Sequence, residues 1–326
     1  MPQRRAAVAI PTLQAEQTLP QLLKGLAQQQ GVPAPELLIL DSGSRDQTLE
    51  LARAAGAKVV SVDRRQFDHG ATRNLALEHT DADFIAFLSQ DAVPADAAWL
   101  KELLEPLLSD PRVAATWSRQ LPRPHEAFFE RRELLAATTG SNLPRSIGPE
   151  DLAAAGVALN RVLVFANTAS CIRSTVLRAH PFPRSEFAED RAWQANILGA
   201  GYRVVFVPSS KVIHSHAYGL ADNLRRNYDD GRSWLVQFGH RPYLSPIPYP
   251  LRSCGELVAC WLRDLAALRG EPEPLAVRLK LALESPLWHG SRVVGQWLGF
   301  RHAWWPQGWH RKLSLQERRR GAASKP

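Results

Sequence analysis

Sulfur is scarce in this chain. Its 326 residues hold one methionine and three cysteines, Cys171, Cys254 and Cys260, with no paired metal-type spacing and an odd thiol left over. That pattern excludes a disulfide-framed secreted domain and a cysteine-based zinc module, and a reducing compartment is the simplest setting. Long apolar runs are missing as well. No stretch approaches the roughly 20 residues that a bilayer-spanning helix requires. The opening MPQRRAAVAIPT turns polar and reaches proline before a signal-peptide core can form. A cytoplasmic protein, soluble or peripheral on the inner face of the plasma membrane, is expected. Phosphate-cradling glycines are also lacking. The segment after the first expected strand reads Pro11-Thr12-Leu13-Gln14-Ala15 where a dinucleotide site would show G-x-G-x-x-G, and no P-loop occurs. The backbone there is not built to close on a pyrophosphate, which argues against a dinucleotide-dependent oxidoreductase. A nucleotide, if bound, must be held by side chains and a metal.

What the chain has in excess is positive charge, +8 overall with a pI near 9.7. Much of it lies late, at Arg301, Arg311, Lys312, Arg318, Arg319, Arg320 and Lys325 against the single acid Glu317. On charge alone such a tail suits nucleic acid or an anionic membrane surface. Nucleic acid is not an expected partner, because helix-turn-helix, zinc and aromatic–basic sheet patterns are all missing. Five of the ten tryptophans are late too: Trp288, Trp297, Trp304, Trp305 and Trp309. Tryptophan interleaved with basic residues suits a membrane interface; the alternative is that these rings pack a helical region.

The first half alternates short β-branched runs with helical patterns, the sign of an α/β fold with a mostly parallel sheet. Strands are expected at residues 6–10, 37–40, 58–62, 84–88 and 113–117, with helices at 19–29, 71–78 and 97–108 between them. Ser44 and Gln47 have the spacing of a capping box for a helix running to Ala55. Residues 162–172 read as a further strand, 191–198 as a helix, and 203–207 with 211–213 as strand-like segments. Residues 122–160 are mixed. After residue 217 the pattern becomes amphipathic and helical, so the expected division is a catalytic domain at 1–217 and a helical, Trp-rich, basic appendage at 218–326.

Ligands gather at the carboxyl ends of parallel strands, and three polar clusters fall at or near such ends. Asp41 follows a buried strand and can accept the N3–H of uracil or thymine, with Ser42 and Gly43 small enough for a base to lie close; equally, it can begin a turn. Asp91, after Ser89 and Gln90, can ligate Mg2+ or Mn2+ on a donor's phosphates, and His214 and His216, two residues apart, offer further ligands on one strand face. Glu189 and Asp190 open a helix, where acids favour the dipole, or supply a general base.

Together these stretches resemble the inverting family-2 glycosyltransferases of the GT-A fold, in particular the bacterial rhamnosyltransferase-like branch. The matching segments are Val8-Ala9-Ile10-Pro11-Thr12, Ile39-Leu40-Asp41-Ser42-Gly43-Ser44, Phe67-Asp68-His69-Gly70-Ala71-Thr72-Arg73-Asn74, Phe87-Leu88-Ser89-Gln90-Asp91-Ala92, Ala188-Glu189-Asp190 and Val212-Ile213-His214-Ser215-His216. The resemblance implies a sugar nucleotide donor, dTDP- or UDP-linked, and a glycan or lipid-linked acceptor. It implies donor binding at Pro11, Thr12, Asp41, Ser42, Gly43, Arg73, Gln90 and Asp91, with Arg73 near the diphosphate. It further implies a cation on Asp91 with His214 or His216, and Asp190 as catalytic base with Glu189 beside it. Ser89 replaces the first acid of the family's usual Asp-x-Asp, from which weaker metal affinity, or metal binding that depends on the donor phosphates, is expected. His69 is expected to shape the loop.

Overall fold

A computed structural model describes residues 4–185, 187–239 and 249–318. The chain forms two compact units, residues 1–126 with 131–215 and residues 127–130 with 216–326. The expected division after residue 217 does not anticipate the four-residue piece in the second unit. Phe128 and Phe129 explain it, since they pack there with Leu268 and Trp288.

The first unit is built on nine strands: β1 (Ala6–Thr12), β2 (Glu36–Asp41), β3 (Lys58–Ser61), β4 (Phe84–Leu88), β5 (Val93–Pro94), β6 (Val113–Leu121), β7 (Arg145–Ile147), β8 (Ala169–Arg173) and β9 (Arg203–Ile213). Their order is β3-β2-β1-β4-β8-β6-β9-β5, with β7 also on β9. The pairs β3–β2, β2–β1, β1–β4 and β6–β9 are parallel. β8 runs antiparallel to both β4 and β6. It follows that β1, β2, β4, β6 and β9 all deliver their carboxyl ends to one edge of the sheet. All five residues of β4 are buried, as befits a central strand covered on both faces. The helices α1 (Leu19–Ala27), α2 (Thr48–Ala54), α3 (His69–Asn74), α4 (Trp99–Ser109) and α5 (Glu189–Gly199) belong to this unit. Leu19, Leu22 and Leu26 of α1 and Trp99, Leu100, Leu103, Leu104 and Leu107 of α4 are buried at helical spacing and join Val8, Ile10 and Phe84 in one core.

Three local expectations are corrected. Ser44 does not cap α2: its N–H and hydroxyl both donate to Asp41 (2.8 and 2.6 Å), and the helix begins at Thr48, whose N–H donates to Asp46. The strand expected over residues 162–172 is confined to β8. Upstream of it the backbone bonds to a side chain, with Phe165 N–H donating to Gln194 Oε1 and Gln194 Nε2 donating to the Val162 carbonyl (both 2.9 Å). The segments 203–207 and 211–213 are one strand, β9, with a register shift against β6 at Ser118/Arg119.

The second unit contains α6 (Leu220–Phe238), α7 (Tyr249–Leu268) and α8 (Leu275–Gly299). Gly295 and Gly299 of α8 meet α6 backbone to backbone: a Cβ on either would lie 2.3 Å from the carbonyl of Leu224 or Tyr228. Asp264 of α7 accepts from Ser285 and pairs with His289 Nε2 on α8, both at 2.8 Å, all three buried. Of the late tryptophans, Trp288 is buried and stacks on Phe129 at 5.3 Å. Trp305 stacks on Trp309 at 5.9 Å, and Arg301 lies 4.4 Å over Trp297; Trp304 and Trp309 are exposed. Arg319, Arg320 and Lys325 lie outside the described residues.

Candidate active site

At the carboxyl edge of the sheet, a run of hydrogen bonds links the acids singled out above. Thr12 Oγ1, at the end of β1, donates to Asp41 at the end of β2 (2.9 Å). The next residue, Leu13, donates its N–H to Gln90 Oε1 (2.8 Å), and Gln90 Nε2 donates back to the Leu13 carbonyl (3.2 Å). Ser89 N–H donates to the Thr168 carbonyl (2.9 Å), and Asn167 N–H donates to Asp190 (3.3 Å). Two of these hydrogen bonds, with steps along the chain between them, join Asp41 to Asp91, and two more join Asp91 to Asp190.

Asp41 is buried, and both of its oxygens are engaged. Oδ1 accepts from Thr12 and Ser44 hydroxyls; Oδ2 accepts from the N–H groups of Gly43 and Ser44 (2.9 and 2.8 Å). Four donors fill the usual acceptor capacity of a carboxylate, so the turn-forming role is realised. A base N–H reaching Asp41 would have to displace a hydroxyl, and both hydroxyls can rotate. The Ser42 hydroxyl beside it is buried with no partner among the described residues. Pro11 is half-buried in β1, and Gly43 is exposed with φ +93°.

Asp91 meets both histidines. Its Oδ1 lies 3.5 Å from His214 Nε2, and a ligand atom from each of Asp91, His214 and His216 lies within 4.8 Å of the others. The histidines follow the end of β9 and do not sit within it. His214 Nδ1 is 2.9 Å from Gln120 Oε1 at the end of β6. With that amide oxygen accepting from Nδ1–H, a neutral ring would turn its Nε2 lone pair toward Asp91, the outer-shell arrangement typical of metal-ligating histidine. Arg123 completes the frame. Its guanidinium donates to the Ser215 carbonyl (2.8 Å), the Asp91 carbonyl (3.1 Å) and Asp91 Oδ2 (3.4 Å), and its N–H donates to the Ser215 hydroxyl (3.1 Å). Glu126 accepts from that same hydroxyl. One carboxylate oxygen and two imidazoles fit a divalent cation, and the two nitrogen ligands suit a transition metal better than Mg2+, which takes oxygen ligands.

Glu189 and Asp190 open α5, and their surroundings separate them. Glu189 is buried and accepts from Arg73 Nη1 (2.7 Å) and Asn167 Nδ2 (3.3 Å). Arg73, expected near a diphosphate, is itself buried in this ion pair, so it reaches the site through Glu189. Asp190 is half-buried. Burial, and next the charge of Glu189, push its carboxyl above the ordinary aspartate value, with Arg191 and Arg73 opposing. Ala188, just before the pair, adopts a left-handed conformation (φ 59°, ψ 38°), uncommon for a residue with a Cβ and found where surrounding structure dictates it.

The short helix α3 does that dictating. Asp68 caps α3 through Ala71 N–H and accepts from Ser185 N–H with its other oxygen (both 2.8 Å). Gly70 lies so close to Pro183 that a Cβ would stand 2.3 Å from its carbonyl oxygen. Arg73 takes Glu189, and Asn74 pairs both ways with the Phe182 backbone (2.9 and 3.0 Å). His69 packs edge-on to Phe67 at 4.9 Å. The motif around residues 67–74 therefore holds the segment that leads into Glu189 and Asp190. Asn167, Gln120 and Arg123 were not singled out from sequence. A polar side chain in an expected buried strand was a signal at Asn167; Gln120 and Arg123 lie beyond the strand expected over residues 113–117 and had none.

A mixed sheet with carboxylates and imidazoles gathered at its carboxyl edge is the architecture of a GT-A nucleotide-sugar transferase. A model of the family described as "Glycosyl transferase family 2" matches residues 7–165. The O-antigen chain rhamnosyltransferase RfbN of Salmonella typhimurium is 33% identical over 231 residues, 70% of this chain and 71% of that one. The O-antigen chain rhamnosyltransferase WbaN of Salmonella anatum is 32% identical over 202 residues, 60% of this chain and 61% of that protein's length. Among solved structures, the mannosyltransferase PcManGT of Pyrobaculum calidifontis, in complex with GDP-Man and Mn2+, shares the fold with a TM-score of 0.60. It is 18% identical, over 91% of this chain and 87% of its own. The chain belongs to glycosyl transferase family 2 and is a nucleotide-sugar glycosyltransferase.

Proposed function

We propose that this enzyme moves rhamnose from dTDP-rhamnose onto a hydroxyl of a glycan or polyprenyl-linked acceptor in the synthesis of an O-antigen-type surface polysaccharide. The likeness to two O-antigen rhamnosyltransferases supports the sugar and the setting. The observation that carries the chemistry is the division between two neighbouring carboxylates. Glu189 is committed to Arg73, and Asp190 keeps a raised proton affinity. Two acids pushed into different roles by their environments are the mark of acid–base work.

Asp190 takes the proton of the acceptor hydroxyl as that oxygen attacks the anomeric carbon. The nucleoside diphosphate leaves from the opposite face, so the configuration inverts. Glu189 and Arg73 hold the start of α5 in place. Asp41 turns the loop after β2, and with the buried hydroxyl of Ser42 it offers polar groups to a thymine or uracil ring, Pro11 and Thr12 lining the same side. Gln90 fixes the loops after β1 and β4 together under the donor. Asp91, His214 and His216 would hold Mn2+ or Mg2+, which when bound supplies positive charge to the leaving diphosphate.

The test is release of nucleoside diphosphate from a panel of dTDP-, UDP- and GDP-sugars with an acceptor lipid fraction. Turnover with dTDP-rhamnose well above the others supports the proposal. Turnover confined to a UDP-hexose would replace rhamnose while leaving the base and cation assignments standing.

A further inference from the structure

The helix α8 is buried along one face and apolar along the opposite, exposed one. One face, with Ser285, Trp288, His289 and Gly299 buried, lies in the second unit's interior. The other carries Leu275, Leu279, Leu283 and Leu287 at strict i, i+4 spacing, 57–78% exposed, a ridge about 18 Å long at 1.5 Å per residue. On α7, Val258, Trp261 and Leu262 are exposed as well. Trp261 donates its indole N–H to the Ala282 carbonyl (3.0 Å), beside Leu283, so the two sets form one surface. Exposed apolar area on the order of several hundred Å2 marks an interaction surface.

We propose that this α7–α8 surface lies on an anionic lipid bilayer. Charge selects the occupant. Residues 301–326, directly after α8, hold seven basic side chains and one acidic, and so six of the eight net positive charges of the whole chain, while residues 249–299 are near balance at six basic and five acidic. Lys280, one residue from Leu279, is largely exposed, as are Arg263 and Arg269. A second copy of the chain seated on this ridge would bring two such positive fields together, which is unfavourable; an anionic headgroup layer meets the same charge with its opposite. The surface is suited to lying in the interface and not to crossing it, because no helix among the described residues is long and apolar enough to span. The sequence pointed to tryptophans after residue 287, yet Trp288 is interior, and the apolar ridge belongs to leucines that periodicity alone would assign to a core.

The experiment is flotation of the full chain with vesicles of phosphatidylcholine alone and of phosphatidylcholine with phosphatidylglycerol, at low and high salt. The comparison protein is the triple variant Leu279→Gln, Leu283→Gln, Leu287→Gln. The proposal expects binding to the anionic vesicles, weakened by salt, and a partition coefficient about tenfold or more lower in the variant. Circular dichroism and melting temperature should be unchanged, since these side chains face solvent. Binding retained by a folded triple variant overturns the proposal. So does wild-type protein that ignores anionic vesicles but sediments as a dimer, with the variant monomeric; a second copy is then the occupant. The vesicles contain neither donor nor acceptor, so the outcome does not depend on which sugar is transferred.

Discussion

Glu189→Gln leaves the guanidinium of Arg73 buried opposite a neutral amide. Both side chains of the native pair are less than a tenth exposed and their atoms are 2.7 Å apart, so solvent screens the loss poorly. Removing one partner of such a pair costs about 3–5 kcal/mol, mostly the penalty of stranding the other charge. The glutamine oxygen can still accept from Arg73 and Asn167, which argues for the lower end, about 3 kcal/mol. For a unit of this size each kcal/mol is worth about 2–4 °C, so thermal unfolding followed by circular dichroism at pH 7 should fall by about 6–12 °C. Arg73→Met should cost a similar amount, because it strands Glu189. The double variant should recover most of the loss, since replacing both charges removes the need to pair them. If the double variant melts at the sum of the two single losses, the pair is not the coupled unit described here. A Glu189→Gln variant within about 1 kcal/mol of wild type would also refute the reasoning.

Asp190→Asn should abolish turnover while titration calorimetry still detects nucleoside diphosphate. The same variant should melt higher at neutral pH. Burial raises the native carboxyl, so its ionised form costs stability as pH rises through that raised value, and an amide avoids the cost. The acid limb of kcat/KM should lie above the ordinary aspartate range, and Glu189→Gln should move it to lower pH, because the Glu189 charge is one cause of the raised value; a limb that stays put would separate Asp190 from the rate. Chelation should remove activity and Mn2+ restore it, and Gln120→Leu should weaken Mn2+ binding, read by paramagnetic resonance, by about 10–100-fold. Unchanged affinity would mean that Gln120 does not set the His214 ring. Gly70→Ala, whose Cβ would stand 2.3 Å from the Pro183 carbonyl oxygen, should lower kcat more than it raises the donor KM; equal loss in both would detach α3 from the base segment.

The sequence showed the strand ends well because burial and chemistry alternate there: a run such as Phe84–Leu88 is wholly apolar and the next residues are polar. It showed residues 162–172 badly for a related reason. Val162, Leu163 and Phe165 are as apolar as a strand requires, but the hydrogen bonds of that stretch are taken by Gln194, thirty residues away in sequence, and no local pattern reveals such a partner. Ser44 misled in the opposite sense. A serine three residues before a glutamine reads as a cap, but its donors are drawn to Asp41, a charged acceptor that binds them more strongly than a neutral one. Arg73 was expected beside a diphosphate because the family resemblance implies it. Its anion is Glu189, 116 residues on.

The site can be understood as a rigid edge in which most polar atoms are already spoken for. Asp41 holds four donors, Gln90 bridges two loops, and Glu189 holds Arg73 and Asn167. Groups so occupied lose little freedom when a donor arrives, which is the condition for positioning a reacting pair without paying its ordering entropy in the transition state. Among the described residues the Ser42 hydroxyl has no hydrogen-bond partner, ligand atoms of Asp91, His214 and His216 converge within 4.8 Å of one another, and burial raises the proton affinity of the Asp190 carboxyl. On the proposed reading, nucleobase, cation and acceptor proton each meet a different group on the one edge to which β1, β2, β4, β6 and β9 bring their carboxyl ends. The two acids after Ala188 divide in the same way: Glu189 is held by Arg73 and Asn167 at the start of α5, and Asp190 is the one proposed to take the acceptor proton.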